Sequence, residues 1–274
     1  IIILFFYTLQ VIKHVLKTSY NLMNHSDLKD FLDEKVELYL KPDFIEEDPI
    51  SIPHLFKKKE DIEIAAFLTA TIAWGRRPMI MKNAHKMMQI MEHSPHEFIL
   101  NANDKEINKS LDFCHRTFQG LDLQTFIYAL RNIYQNHGGL EACFYTDGED
   151  MSDGISNFKQ TFFSVEHLQR TQKHVSDPLK GSASKRLIMF LRWMVRPNNK
   201  GVDFGIWKSL NPSQLSCPLD VHTANVARKL GLITRNSNDW KTVKELDVHL
   251  RSFCKEDPAK YDFALFGLGV YENF

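Results

Sequence analysis

The chain has 274 residues, 43% of them hydrophobic and 25% charged, with Lys plus Arg and Asp plus Glu balanced at 34 each. This composition supports one large core or two lobes sharing a groove, and it excludes the disordered and fibrous classes. Neutrality hides segregation: from Arg170 to Arg235 twelve Lys or Arg stand against three acids, Asp177, Asp203 and Asp220, a local excess of nine. Such an excess suits a polyanionic partner, although solvated basic helix faces would give the same count.

The first segment, IIILFFYTLQVIKHVLKTSYNL, begins with a largely apolar run of twelve residues before Lys13, shorter than a bilayer requires. It has neither the leading positive charge nor the small-residue cleavage site of a signal peptide. A capped amphipathic start, NHSDLKDFLDEKVELYL, follows Met23. We therefore expect the native protein to begin at Met23 and residues 1–22 to be translated upstream sequence, a membrane tether being the alternative. Beyond Met23 the apolar periodicity is helical nearly throughout, with no alternating β-branched run bounded by hairpin turns.

The pattern predicts helices over 26–41, 60–74 ending at Gly75, 78–93, 104–115, 121–136 ending at Gly138, 152–164, 184–196, 220–230 ending at Gly231, 240–254 and 258–268. The expected fold class is all-α. Pro78 fits a helix start and Gly231 a helix end. TDGEDMSDG (146–154) and RPNNKGVDFG (196–205) read as loops, and neither marks a domain boundary, so 23–274 is expected to be one domain.

The four cysteines, Cys114, Cys143, Cys217 and Cys254, lie far apart without a C-x-x-C pair. They read as reduced thiols of a cytoplasmic protein. The twelve histidines contain no H-x-x-x-H or H-E-x-x-H pattern, so no metal and no cofactor are expected.

Two stretches carry chemistry. In KGSASKRLIMFLRWMVRP (180–197), Leu187, Ile188, Phe190, Leu191, Met194 and Val195 fall on one helical arc. Lys185, Met189, Arg192 and Arg196 fall on the opposite side, flanked by Arg186 and Trp193. The expectation is a row of cations on a solvent-facing side, able to track phosphates; a plain solvated stripe fits the same wheel. In SCPLDVHTANVARKLGL (216–232), Pro218 and Asp220 mark a helix start with Asp220 as N-cap, and Gly231 reads as its C-cap.

GSASK before an apolar helix, followed by CPLDVHTANVARKLGL, resembles the core of the helix-hairpin-helix DNA glycosylase superfamily, which includes endonuclease III and 8-oxoguanine glycosylase. In bifunctional members a G-x-G-x-K hairpin opens one helix and a P-V-D-x-H segment the next. The resemblance puts Gly181 at the first hairpin glycine, Lys185 at the nucleophilic lysine and Asp220 at the catalytic aspartate, with His222 behind it. Ala183 stands at the second glycine, Leu179-Lys180 at the usual Leu-Pro, the loop to the aspartate is longer, and no iron–sulfur cysteines follow. TIAWGRRPMI, KRLIMFLRWMVR and YDFALFGLG also resemble an uncharacterised family of bacterial conserved hypothetical proteins, over nearly all of Met23 to Phe274.

What the superfamily resemblance implies is a two-lobed helical bundle acting in base-excision DNA repair, a DNA glycosylase with AP lyase activity on damaged or abasic duplex. Lys185 would form a Schiff base, for which it must be neutral, and Asp220 would stabilise the cationic sugar. Lys180, Gly181, Ser182, Ser184, Arg192, Arg196, His222, Arg76 and Arg77 are the expected nucleic-acid contacts. Phe266 or Trp193 could stack on an extruded base, although aromatics in such apolar surroundings also serve as core. The alternative is a non-catalytic nucleic-acid-binding helical protein that retains the fold. A monomer, with no membrane partner, is expected.

Overall fold

The computed structural model describes residues 23–272 and 274; the expected upstream extension, 1–22, lies outside the described residues. The helices are α1 (His25–Tyr39), α2 (Asp43–Glu47), α3 (Lys59–Thr71), α4 (Arg77–Ile90), α5 (Pro95–Asn101), α6 (Asp104–Ile107), α7 (Gly120–Asn136), α8 (Leu140–Phe144), α9 (Ser152–Phe162), α10 (Lys185–Val195), α11 (Val221–Lys229), α12 (Trp240–Phe253) and α13 (Tyr261–Val270), joined in places by short 3-10 turns. The protein is thus mostly helical, as its periodicity implies. None of the described helices is long and apolar enough to cross a membrane.

Local sequence accounts for most of these limits. Asn24 opens α1 by accepting from the Asp27 N–H at 3.0 Å, and Leu28, Leu32 and Val36, four apart, form its buried stripe. The helix α3 is buried on every side from Ile62 to Thr71 and packs against α10. At their junction Phe67 contacts the rings of Phe126, Phe158, Phe162 and Phe190, with centroids 5.3–5.7 Å apart, the offset and edge-on geometry aromatic pairs prefer. On the other side α13 lies against α1 and α11. Gly267 makes the first approach possible, because a Cβ there would sit 2.2 Å from the Tyr39 ring.

The helix expected over 104–115 is cut short at Ile107. After α6 comes a 3-10 turn (Asn108–Asp112) and then an antiparallel hairpin, β1 (Cys114–His115) and β2 (Phe118–Gln119). Here tertiary packing overrides helical spacing. Gly120 passes so close to Leu111 that a Cβ would be 2.2 Å from the Leu111 carbonyl oxygen, and Phe113 and Phe118 are both driven into the core. The short helices α2, α5 and α8 lack the length that makes periodicity visible.

The largest correction concerns α10. No row of solvent-facing cations exists on it: Arg192 is 3% exposed and Arg196 6%. Arg192 bonds Asp262 and lies 3.3 Å from Asp203, while Arg196 donates to Asp203 at 2.8 Å and to Asp257 at 2.9 Å. Both guanidiniums lie over the Phe263 ring, at 4.3 and 5.4 Å. Two cations are therefore enclosed by three carboxylates, which is how charge tolerates burial. Neither arginine is free to grip a phosphate. Trp193, completely buried, belongs to the core. Much of the remaining local excess is also used internally: Arg228 donates to the carbonyls of Arg235, Asn236 and Ser237, Arg235 pairs with Asp239 and Lys200 with Glu37.

Removing one member of this buried chain strands its partners. Arg196→Ala is expected to destabilise the protein by about 3–5 kcal/mol, read from the urea midpoint; a loss under about 1 kcal/mol would contradict the network's role. Gly267→Ala, which drives a methyl into the Tyr39 ring, is expected to cost about 1–3 kcal/mol by overpacking, seen as a lowered Tm.

Candidate active site

The hairpin before α10 is built by its own backbone. Asp177 accepts from the Leu179 N–H at 3.1 Å and its carbonyl from Lys180 and Ser182, both at 3.2 Å, folding the chain into a 3-10 turn that Gly181 ends at φ 88°. That left-handed conformation suits glycine. Gly181 then accepts from the Trp240 N–H at 3.0 Å, tying the hairpin to the start of α12. Ser184 stands at φ 47° just before α10, its side chain buried against Ser182. Leu179, Lys180 and Gly181 are exposed at the tip and Ser182 is half-buried. Of the two serines expected as contacts here, Ser184 is buried.

Lys185, first residue of α10, projects towards the start of α11. There Asp220 caps the helix, its Oδ1 accepting from the Thr223 N–H at 2.9 Å. Its other oxygen, Oδ2, lies 3.6 Å from Lys185 Nζ, with both side chains about a quarter to a third exposed, at 25% and 30%. Thirty-five residues separate the two, and two helix starts bring them together.

This pair stands in the lining of a cavity of about 720 Å³, within the range of small-ligand sites. Its walls combine Trp74, Phe44, Phe263 and Phe266 with Arg77, Arg186 and Arg192, and three aspartates contribute: Asp48, Asp220 and Asp262. His222 also lines it, exposed and packed over Gly269, where an added Cβ would sit 3.3 Å from the His222 Cβ.

The Trp74 wall is held from behind. The guanidinium of Arg186 lies 4.7 Å from the Trp74 ring and donates to the carbonyls of Thr71 and His174; burial pulls it down to about 10. His174 stacks on the same indole at 6.0 Å, and its imidazole is pushed down to about 4, chiefly by burial, so the ring stays neutral. His115 contacts the Trp74 carbonyl at 3.1 Å and Asn83 at 2.8 Å. Gly75 turns the chain at φ 102° beneath the Arg116 side chain. Arg76, which follows, is exposed and makes no ion pair among the described residues, while Arg77 lies 3.9 Å from Glu47 and 6.0 Å from the Phe266 ring.

Asp262, from α13, has both carboxylate oxygens engaged, one by Arg192 and one by the Cys217 thiol at 3.8 Å. Burial pushes it up to about 6 against the pull of Arg192 and Lys185. Asp48 stands before a 3-10 turn, accepting from the Ile50 N–H at 3.0 Å through Oδ1. Burial pushes this carboxyl up as well, although Arg192, Arg77 and Lys185 pull against it.

Lys185, Asp220, Arg77, His222 and Arg192 thus meet in one cavity, and Phe266 borders it; Lys180 and Gly181 belong to the neighbouring hairpin, and Arg76 to the turn beside Trp74. Sequence reasoning missed Asp48, Asp262 and Arg186. One had a signal: Asp262 interrupts an otherwise apolar helix, which demands a buried partner. Among the described residues no group of three or more His, Cys, Asp or Glu is placed to hold a metal ion.

No curated protein and no solved structure matches the chain. One family model does, over residues 48–271, a span that holds every cavity residue named above except Phe44. The chain belongs to that family, described as "Protein of unknown function (DUF2400)".

Proposed function

We propose that this protein is a DNA base-excision glycosylase with AP lyase activity, Lys185 being the nucleophile and Asp220 its carboxylate partner. The observation that carries the reading is the Lys185 Nζ to Asp220 Oδ2 separation of 3.6 Å, at the starts of two helices lining a cavity of about 720 Å³. A nucleophilic amine needs an adjacent group to take its proton, and a cationic sugar needs a fixed negative charge nearby. Asp220 is positioned to serve as the charge while the sugar is cationic and to take the proton once the C1′–Nζ bond has formed. The aromatic walls suit a flat heterocycle taken out of its stack.

Support also comes from the resemblance of GSASK and CPLDVHTANVARKLGL to the helix-hairpin-helix glycosylase superfamily. The positive φ of Gly181 and the capping bond of Asp220, a cap expected from the local sequence, are compatible with that reading. In the proposed reaction the Lys185 amine attacks C1′, the C1′–N bond breaks with its electron pair leaving on the base, and the amine proton passes to Asp220. Ring opening, with O4′ taking the proton from Asp220, gives the Schiff base; Asp220 then accepts the C2′ proton as the C3′–O bond breaks and its electron pair leaves with the 3′ phosphate. The exposed Lys180, Arg76 and His222, with the half-buried Arg77, would hold the phosphates on either side. Arg192 and Arg196 take no part in that contact.

Borohydride trapping on duplex DNA with one abasic site tests this. The parent is expected to give a covalent adduct, and Lys185→Gln to abolish it while keeping duplex affinity within a few-fold. Lys180→Gln should do the reverse, weakening affinity and sparing the adduct. Asp220→Asn retains an equivalent cap and should slow adduct formation by about 10²-fold or more. A parent that binds duplex DNA without forming an adduct would favour a non-catalytic nucleic-acid-binding protein instead.

A further inference from the structure

We infer that Asp48 is the proton donor to the departing base, a second catalytic carboxylate in the same cavity as Lys185 and Asp220. The inference rests on the base-excision reading and assigns it a step that the lysine–aspartate pair leaves open. A neutral base expelled from C1′ departs as an anion unless something protonates it. Lys185 forms the new bond, and Asp220 must stay ionised beside the cationic sugar and gains a proton only once that bond exists, so protonating the base as the C1′–N bond breaks falls to another group.

The cavity offers two other carboxylates, Asp48 and Asp262. Asp262 is already committed, one oxygen to Arg192 and the other to the Cys217 thiol. Asp48 differs. Like Asp220 it caps the following turn with Oδ1, through the Ile50 N–H at 3.0 Å, and its Oδ2 accepts no hydrogen bond among the described residues. Two cap aspartates from separate elements thus each keep Oδ2 free of helix capping. Asp220 has Lys185 beside that oxygen, at 3.6 Å; Asp48 has no ion pair among the described residues.

Their surroundings divide the labour. Burial favours the protonated form of Asp48, and the cations that act on it, Arg192, Arg77 and Lys185, do not overcome that preference. Asp220, Asp262, His222 and Arg186 are the other titratable groups in the lining. Pairs of carboxyls kept in different protonation states recur where one acts as acid and the other as a fixed charge. In the step itself the C1′–N electron pair moves onto the base, and the Asp48 proton goes to a ring nitrogen or carbonyl oxygen of that base. The Lys185 nitrogen bonds C1′, and the resulting Asp48 carboxylate faces the Arg192 and Arg77 guanidiniums. Water restores its proton afterwards. The substrates this favours are neutral damaged bases, which need a proton to leave, rather than bases already cationic.

The test compares two reactions of the full chain. Base release is measured under single-turnover conditions on duplexes carrying 8-oxoguanine, thymine glycol, 5-hydroxycytosine or uracil, and adduct formation on abasic duplex, where no base remains to leave. Asp48→Asn preserves the cap, and Asp48→Ser provides a second capping variant without a carboxyl. Both are expected to lower base release by about 10²-fold or more, to flatten the alkaline fall of its pH–rate profile, and to leave the abasic adduct within about two-fold of the parent, itself evidence of folding. Base release equal to the parent's would overturn the role of Asp48 and leave the base-excision reading intact. A parent that traps the abasic site but releases none of the four bases would overturn it too. Loss of both base release and adduct in both variants would make Asp48 structural, and a parent that forms no adduct removes both readings.

Discussion

The alternating chain Asp262–Arg192–Asp203–Arg196–Asp257 is the constraint on which the arrangement of the site depends. It joins α10 to the loop that follows it and to the start of α13, 60 to 70 residues further along. A charged pair in a dry interior has few acceptable geometries, because each lost contact leaves a desolvated charge. Hydrophobic packing alone would let α10 rotate or slide against α3 and α13 at modest cost. With two guanidiniums pinned by three carboxylates, its axial position and rotation are fixed, and Lys185 at its first turn inherits that precision.

The same device shapes the cavity's electrostatics. Arg192 belongs both to the buried chain and to the cavity lining, and Asp262 is its partner in each. The cavity therefore has a buried, paired charge in its wall, which salt screens less than it screens surface side chains. Around it stand groups with more freedom: the Lys185–Asp220 pair, Asp48 with one oxygen uncommitted, and the lightly paired Arg77. A fixed charge beside less constrained polar side chains is the arrangement that the proposed catalysis would require. The Trp74 wall follows the same logic, held by Arg186 and by a histidine that burial keeps neutral.

Much of this was legible in the amino-acid sequence, and the failures share one cause. Helical spacing located the long helices, and the local pattern around Ser216–Leu232 identified Asp220 as a cap, because caps and periodicity are properties of neighbouring residues. The wheel of α10 misled, since it assumes that an arginine opposite an apolar arc faces water. The partners of Arg192 and Arg196 include Asp257 and Asp262, which sequence spacing does not associate with them. Asp48 was hidden for the same reason: a residue before a proline reads as turn chemistry, and only the fold brings it into the cavity with Lys185. The hairpin at Cys114–Gln119 was lost to a helical-looking stretch whose conformation is dictated by the contact between Gly120 and Leu111.

The proposed function turns on Lys185 Nζ being the atom that bonds C1′ of the sugar, while the lysine five residues before it only contacts phosphate. Tandem mass spectrometry of the protein reduced by borohydride on abasic duplex, after proteolysis and nuclease digestion, measures this directly. The account predicts the sugar-fragment mass on the side chain of Lys185 alone. The same mass on Lys180, or scattered over several surface lysines, would contradict it.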